Sequence, residues 1–452
     1  MNVNVLISFL LVGLTSVGCT GFLEEKPDIK MVIPHTLEDA ELLLNNYSTM
    51  NMGYPTWGEW GIDDYYVTDQ TFNGALTIDQ RNAYTWADAP YEAFTQWQLP
   101  YKAVFNANQA LEIIQSVDAA AVSQRRDNLR GIALFFRAFA FQQLLELHAM
   151  AYQKETADKE LGIPLRLGPE IDKSSVRASL QQSYDQIISD YRAAVPMLPL
   201  HESIKGRPFR ASAYAGLARA SLNTADYHLA YAYADSSIRI HGDLMDFNLL
   251  DASRDFPIPQ FNTEVLFSAV TGVAGPMSRT NGRIAPELYE SYEDTDLRKS
   301  IFFLKANIPT GSYSFKGAYN QSISSLFVGL TTSEMYLVKA ESATRLGLID
   351  EALDAINTLL ENRIDQTSFA PVSERSPESL LRIILSERRK ELVFRGRRWA
   401  DLKRLNLDTR FQKVIERTVD GKVDVLEPDS RKYAFRLPEP VVTIGKIPQN
   451  IR

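Results

Sequence analysis

The chain has 452 residues, 45% of them hydrophobic, with a formal net charge of −8. An acidic balance of this size argues against nucleic acid as a partner, and the length supports one large core or as many as three domains. Its single cysteine, Cys19, excludes a disulfide framework and a cysteine-based metal site.

In chain order, residues 3–17 (VNVLISFLLVGLTSV) form an apolar segment of signal-peptide length. It is shorter than the ~20 residues that cross a bilayer comfortably. Ser16 and Gly18 lead into Cys19, and a cysteine behind small residues looks like a bacterial lipoprotein processing site. The expectation is a signal peptide over 1–18, acylation of Cys19, and a polar, Pro-containing tether over 19–35. Two acyl chains suffice for stable anchoring. Acylation also leaves the mature chain without a thiol nucleophile.

From Thr36 the pattern LEDAELLLNN predicts a helix, with Thr36 as its cap and Asp39 at the third helical position. Residues 54–105 then carry 13 aromatics and four of the five tryptophans, while Gly53, Gly58, Gly61 and Gly74 break the early part into loops. Residues 126–148 are apolar almost all round, which predicts a helix buried inside a bundle. Leu180, Tyr184, Ile187, Ile188, Tyr191, Val195 and Leu198 recur at helical spacing, and Pro196 and Pro199 are expected to close that helix.

Sliding 214–237 onto 336–359 superposes Tyr214, Ala218, Ala225 and Ala230 on Tyr336, Ala340, Gly347 and Ala352. Small residues at those intervals suit two helices crossing closely around a tight turn, as in tetratricopeptide repeats. Between the copies, residues 241–330 hold scattered prolines and glycines and a short strand-like run, EVLFSAV. Irregular excursions of that length are commonly functional. Segment 387–404 has eight basic and three acidic side chains on a predicted helix, with Glu391 and Arg395 one turn apart. An ion-pair network between helices, with Trp399 in the core, is favoured there over an anion-binding face.

No HExxH, Walker A, GxSxG, GxGxxG or His/Cys cluster is present, and the five histidines lack ligand spacing. Asp63-Asp64 is a sequence neighbour pair with no implied cross-cleft separation. The cluster Glu293-Asp294 with Asp296 reads as a solvated turn, lacking the loop grammar of a calcium site. Catalysis, metals and cofactors therefore find no positive support.

The order of motifs resembles the SusD/RagB family over essentially the whole length. The segments are CTGFLEEKP, YKAVFNANQALEII, LRGIALFFRAFAFQQLLELHA, GIPLRLG, NTEVLFSAV and RLPEPVVTIGKIPQN; the most specific is ILSERRKELVFRGRRWADLKRLN. Departures fall on Thr331-Thr332, Arg395 and His148-Ala149-Met150, all in scaffold motifs. The resemblance implies a mainly α fold: a tetratricopeptide-like scaffold over about 100–240 and 331–410, a loop-rich ligand-binding excursion over about 241–330, and minor β, in one domain spanning 36–452. It also implies an outer-membrane lipoprotein, facing the cell exterior, that binds an oligosaccharide and serves as a lid over a SusC-like TonB-dependent transporter. Peptide or glycoprotein capture in the RagB manner, and a helical-repeat assembly role without a small ligand, stay open.

Sugar rings present flat C–H faces, which aromatic side chains cover, and a hydroxyl rim, which polar side chains bond. By position, RNAYTWAD looks like a family binding loop, so Trp86 and Tyr84 are expected to stack, with Arg81, Asn82 and Asp88 bonding hydroxyls. Tyr289, Tyr313 and Tyr319 are the candidates for a second wall.

Overall fold

The computed structural model describes residues 34–117, 123–170, 172 and 174–452. The signal segment, Cys19 and nearly all of the tether lie outside the described residues. Among the described residues no helix is long and apolar enough to cross a membrane.

Among the described residues, ten helices of eight or more residues build the scaffold: α1 (Leu37–Leu44), α2 (Thr95–Ser116), α3 (Ser123–His148), α4 (Leu180–Met197), α5 (Arg210–Asn223), α6 (Tyr227–Ile240), α7 (Thr332–Arg345), α8 (Ile349–Glu361), α9 (Pro377–Glu391) and α10 (Arg398–Leu405). Thr36 caps α1 as expected: its side chain accepts from the Asp39 N–H, and Asp39 accepts from the Thr36 N–H. Helix α4 runs through Pro196, which sits in the last turn, and ends at Met197.

Helix α3 is the spine. It packs on α2 and α4, and residues 131–149 are all buried, which explains a sequence apolar on every side. Two of its buried charged side chains are paired: Arg137 donates to both Asp190 oxygens at 2.7 Å and to Asn108, and Glu146 accepts from Arg397 at 2.6 Å. Buried charge is tolerable only with such partners.

The internal repeat is two helix pairs. Helices α7 and α8 begin 122 residues after α5 and α6. Ala218, Ala230, Ala340 and Ala352 are fully buried where the helices cross, and the tight turn puts Ala225 at φ +57° and Gly347 at φ +79°. Glycine adopts that left-handed backbone freely; alanine does so at a cost of about 1 kcal/mol.

The predicted single helix over 387–404 is two helices. Helix α9 stops at Glu391, Phe394 and Gly396 take left-handed backbone, and α10 starts at Arg398. The break follows from close approach: a Cβ at Gly396 would lie 2.6 Å from Val328 Cγ1. Arg395 therefore does not sit one turn below Glu391. Its guanidinium lies 3.7 Å from the Tyr319 ring centroid and donates to Thr331 Oγ1, while Glu391 accepts from Arg363.

The predicted ion-pair network is present. Arg388 bonds Asp401, Arg389 bonds Asp63 and Asp64, Arg398 bonds Asp63, and Arg404 bonds Glu341. Asp63 and Asp64 are thus structural. Burial raises the Asp63 carboxyl, but Arg398 and Arg389 outweigh it and hold the group well below its ordinary range. Trp399 is core, 3% exposed, against Gly58 and Tyr433. Asp296 is buried on Arg298 and Asp294 pairs with Lys299, so this acidic cluster is engaged by cations.

The loop-rich face is stitched by short strand pairs. Met52–Tyr54 runs parallel to Val270–Thr271, and Tyr65–Tyr66 pairs antiparallel with Arg283–Ile284. Val265–Phe267 pairs with Leu330–Thr331, and Phe303–Lys305 with Tyr313–Phe315. Large aromatics fill the space beneath, because short irregular segments need bulky side chains to close a core. Trp57, Trp60, Tyr65, Tyr84, Trp86 and Tyr91 are all buried.

Glu59 lies in that core, 4% exposed, accepting a hydrogen bond from the Trp399 N–H at 3.1 Å. Burial pushes its carboxyl from an ordinary 4.5 up to about 7, partly opposed by the Trp399 N–H and by Arg397. A raised folded-state pKa means the folded protein holds the proton longer. Stability from this group is present below about pH 4.5 and is lost as pH rises toward 7. Urea unfolding of wild type and Glu59→Gln across that window should differ in slope, with wild type losing up to about 3 kcal/mol more. Parallel curves would show that Glu59 ionises freely in the fold.

Candidate functional site

Trp86 sits past the end of a short helix, Ile78–Tyr84, with its backbone at φ +53° and its indole 1% exposed. The indole N–H donates to Gly61 O at 3.0 Å. Tyr84 is 2% exposed and its hydroxyl accepts from the Val67 N–H at 3.1 Å. Arg417, from the hairpin Ile415–Val419/Lys422–Leu426, inserts between them, 4.2 Å from the Tyr84 centroid and 5.7 Å from that of Trp86. Its guanidinium also donates to the Tyr65 and Ile62 carbonyls. Both expected stacking residues are therefore core: their faces are covered by protein, and their role is to hold the loop face on the C-terminal hairpin.

Tyr319 is likewise corrected to core. It is 1% exposed, bonded to Glu264 at 2.9 Å, with one face covered by Arg395. Arg81 and Asn82 are half-buried on the Ile78–Tyr84 helix. Arg81 donates to Asn73 O, and the Asn82 carbonyl accepts from the Ala87 N–H. Asp88 is exposed and pairs with Arg436 at 3.1 Å, toward the C-terminus. The bonds these three make lead to Asn73, Ala87 and Arg436, not to Tyr289, Tyr313 or Tyr319.

Tyr289 and Tyr313 are the two candidates the structure brings together. Tyr289 stands on the short helix Pro286–Glu290 and Tyr313 on the strand Tyr313–Phe315. Their rings stack at 3.6 Å with planes 13° apart, and both are half-buried. Phe303 supports Tyr289 edge-on at 5.7 Å, and Lys299 Nζ lies 5.3 Å from the same ring, held by Asp294 at 2.7 Å. Burial, then the adjacent Tyr313 hydroxyl, raises the Tyr289 phenol above its ordinary range.

Residues missed in the sequence complete the setting. Arg283 pairs with Tyr66 across the strand ladder and donates to Ile308 O at 2.7 Å, Thr280 O at 3.1 Å and Gly282 O at 2.9 Å. One guanidinium thereby ties three loop carbonyls and stiffens the segment in front of the tyrosine pair. No local signal marks this, because Tyr66 and Arg283 meet only through tertiary pairing. The arrangement offers a firm aromatic surface beside a cation and a carboxylate, suited to contact with a flat, hydroxylated molecule. Among the described residues, no group of three or more His, Cys, Asp or Glu is placed to hold a metal ion.

The protein is thus a helical-repeat scaffold carrying a loop-rich face with a stacked tyrosine pair. Two family profiles match: a SusD-like one described as starch-binding and associating with the outer membrane, over residues 21–222, and the SusD family itself over 312–434. SusD-like protein P2 of Formosa agariphila is 24% identical, with 89% of this chain and 90% of the relative aligned. A SusD superfamily crystal structure from Bacteroides thetaiotaomicron has a TM-score of 0.74 at 22% identity, covering 92% of this chain and 100% of that one. A surface glycan-binding protein of Bacteroides uniformis has a TM-score of 0.68 at 15% identity, covering 92% and 98%. The chain belongs to the SusD/RagB family.

Proposed function

We propose that this chain is a cell-surface binding protein that captures an oligosaccharide and passes it to a SusC-like TonB-dependent transporter, anchored to the outer membrane through acylated Cys19. The family relationship across both halves of the chain carries this reading. The half-exposed Tyr289–Tyr313 pair supplies a physical means of ligand contact. Capture and release need no bond making or breaking.

The test is binding of residues 20–452 to a broad panel of oligo- and polysaccharides, measured calorimetrically. Tyr313→Ala should weaken the best ligand about tenfold, as expected when one aromatic contact of about 1.4 kcal/mol is lost. Unchanged affinity in both Tyr313→Ala and Tyr289→Ala would remove the pair from the site. A peptide that binds where every sugar fails would favour RagB-like capture.

A further inference from the structure

A cleft of about 930 Å³ on the scaffold lies between α4, the α5–α6 turn and the loop following α3. It shares no residue with the tyrosine pair of the loop face. Its volume is at the upper end of the range for ligand pockets, ~300–1,000 Å³. Three tyrosines line it: half-buried Tyr152 packs edge-on against Tyr184, which is 5% exposed, at 5.5 Å with planes 88° apart. Tyr227, at the start of α6, is the third, and Arg345 backs its ring at 4.8 Å.

The polar lining is built as well. The Tyr152 hydroxyl donates to Gln181 Oε1 at 2.6 Å, and Gln181 Nε2 donates to Asp185 Oδ1 at 2.8 Å. Arg192 Nε donates to the Tyr233 hydroxyl at 3.0 Å. This fixes the guanidinium while leaving both terminal amines available to a ligand. Cations Lys154 and Arg192 balance carboxylates Asp185 and Asp226, so the cleft selects for neither an anion nor a cation. The half-buried rings of Tyr152 and Tyr227, with fixed donors and acceptors of balanced charge, match a neutral polyhydroxylated ring better than a charged peptide or phosphate.

Backbone strain falls at the same place. Ala225, on the lip of the cleft, holds the left-handed turn that its repeat counterpart fills with Gly347. A side chain kept at a position that favours glycine is the kind of local cost found at binding sites.

We propose that this cleft is a second binding site for a neutral oligosaccharide, on the repeat scaffold and separate from the loop-face site. The experiment is hydrogen-exchange mass spectrometry on residues 20–452 with malto-, cello-, xylo- and manno-oligosaccharides as probes. It is paired with calorimetric stoichiometry, on wild type, Arg192→Ala, Ser189→Trp and Tyr313→Ala. Arg192 and Ser189 are exposed on α4, so both changes are compatible with folding. The expected result is slowed exchange in 181–192 and 224–229. That protection should vanish in Ser189→Trp, weaken about tenfold in Arg192→Ala and persist in Tyr313→Ala. Protection confined to 283–319, with a stoichiometry of one, overturns the second site and leaves the loop-face reading standing. Protection of the cleft alone supports the second site and removes the first. Protection of the cleft only by a charged peptide, or no protection anywhere, overturns the proposal.

Discussion

Glu391→Ala is expected to lower the unfolding free energy by about 3–5 kcal/mol, the usual cost of removing one partner from a buried ionic cluster. Glu391 is fully buried and accepts from Arg363 at 3.0 and 2.9 Å, with Arg298 at 3.5 Å. Arg363 also bonds Glu264 at 2.6 Å and Met245 O at 2.8 Å, and Arg298 bonds Asp296 at 2.7 Å and also Glu387. The cluster joins α9 to two separate stretches of the loop-rich excursion, around 264 and around 296. Taking out Glu391 leaves two guanidiniums without a shared carboxylate in a site water does not reach. Urea unfolding measures the loss. Glu391→Gln, which keeps the shape and removes the charge, should lie between wild type and alanine. A cost below about 1 kcal/mol for alanine would mean that the cluster rehydrates and that the excursion is held mainly by its aromatic packing.

Trp86→Ala is expected to act on stability and leave binding per folded molecule unchanged. Removing a fully buried tryptophan costs about 3–5 kcal/mol. Here the change also strips the Gly61 carbonyl of its donor and opens space beside Arg417, which is stacked on the same aromatic group. The urea midpoint should fall sharply, while calorimetry of the folded fraction should return the wild-type sugar affinity. A variant that kept its midpoint and lost sugar binding would reverse this assignment and return Trp86 to the site.

These two residues show where sequence reading succeeds and where it stops. Periodicity alone is enough for α3, whose apolar residues run on every side and which is buried from 131 to its end at His148. The repeat is legible because small residues must recur where helices cross, and Ala218, Ala230, Ala340 and Ala352 all sit at such crossings. The Thr36 cap is a local bond between near neighbours. Ion pairing of the basic 387–404 segment follows from burying charge in an acidic protein, although the break at Phe394–Gly396 came from contact with Val328.

The candidate site was legible only in part. An aromatic in a glycine-broken segment has the same local signature whether it faces ligand or fills the core beneath a loop. Burial of Trp86 and Tyr84 was decided by Arg417, more than 300 residues away in sequence. The stacking of Tyr289 on Tyr313 was decided by how a short helix meets a short strand. The sequence by itself determined the family, the helical repeat and the buried central helix, because these rest on periodic patterns that each segment carries within itself. Only the tertiary structure decided which aromatics face outward and which cleft is open, because exposure depends on what distant segments cover.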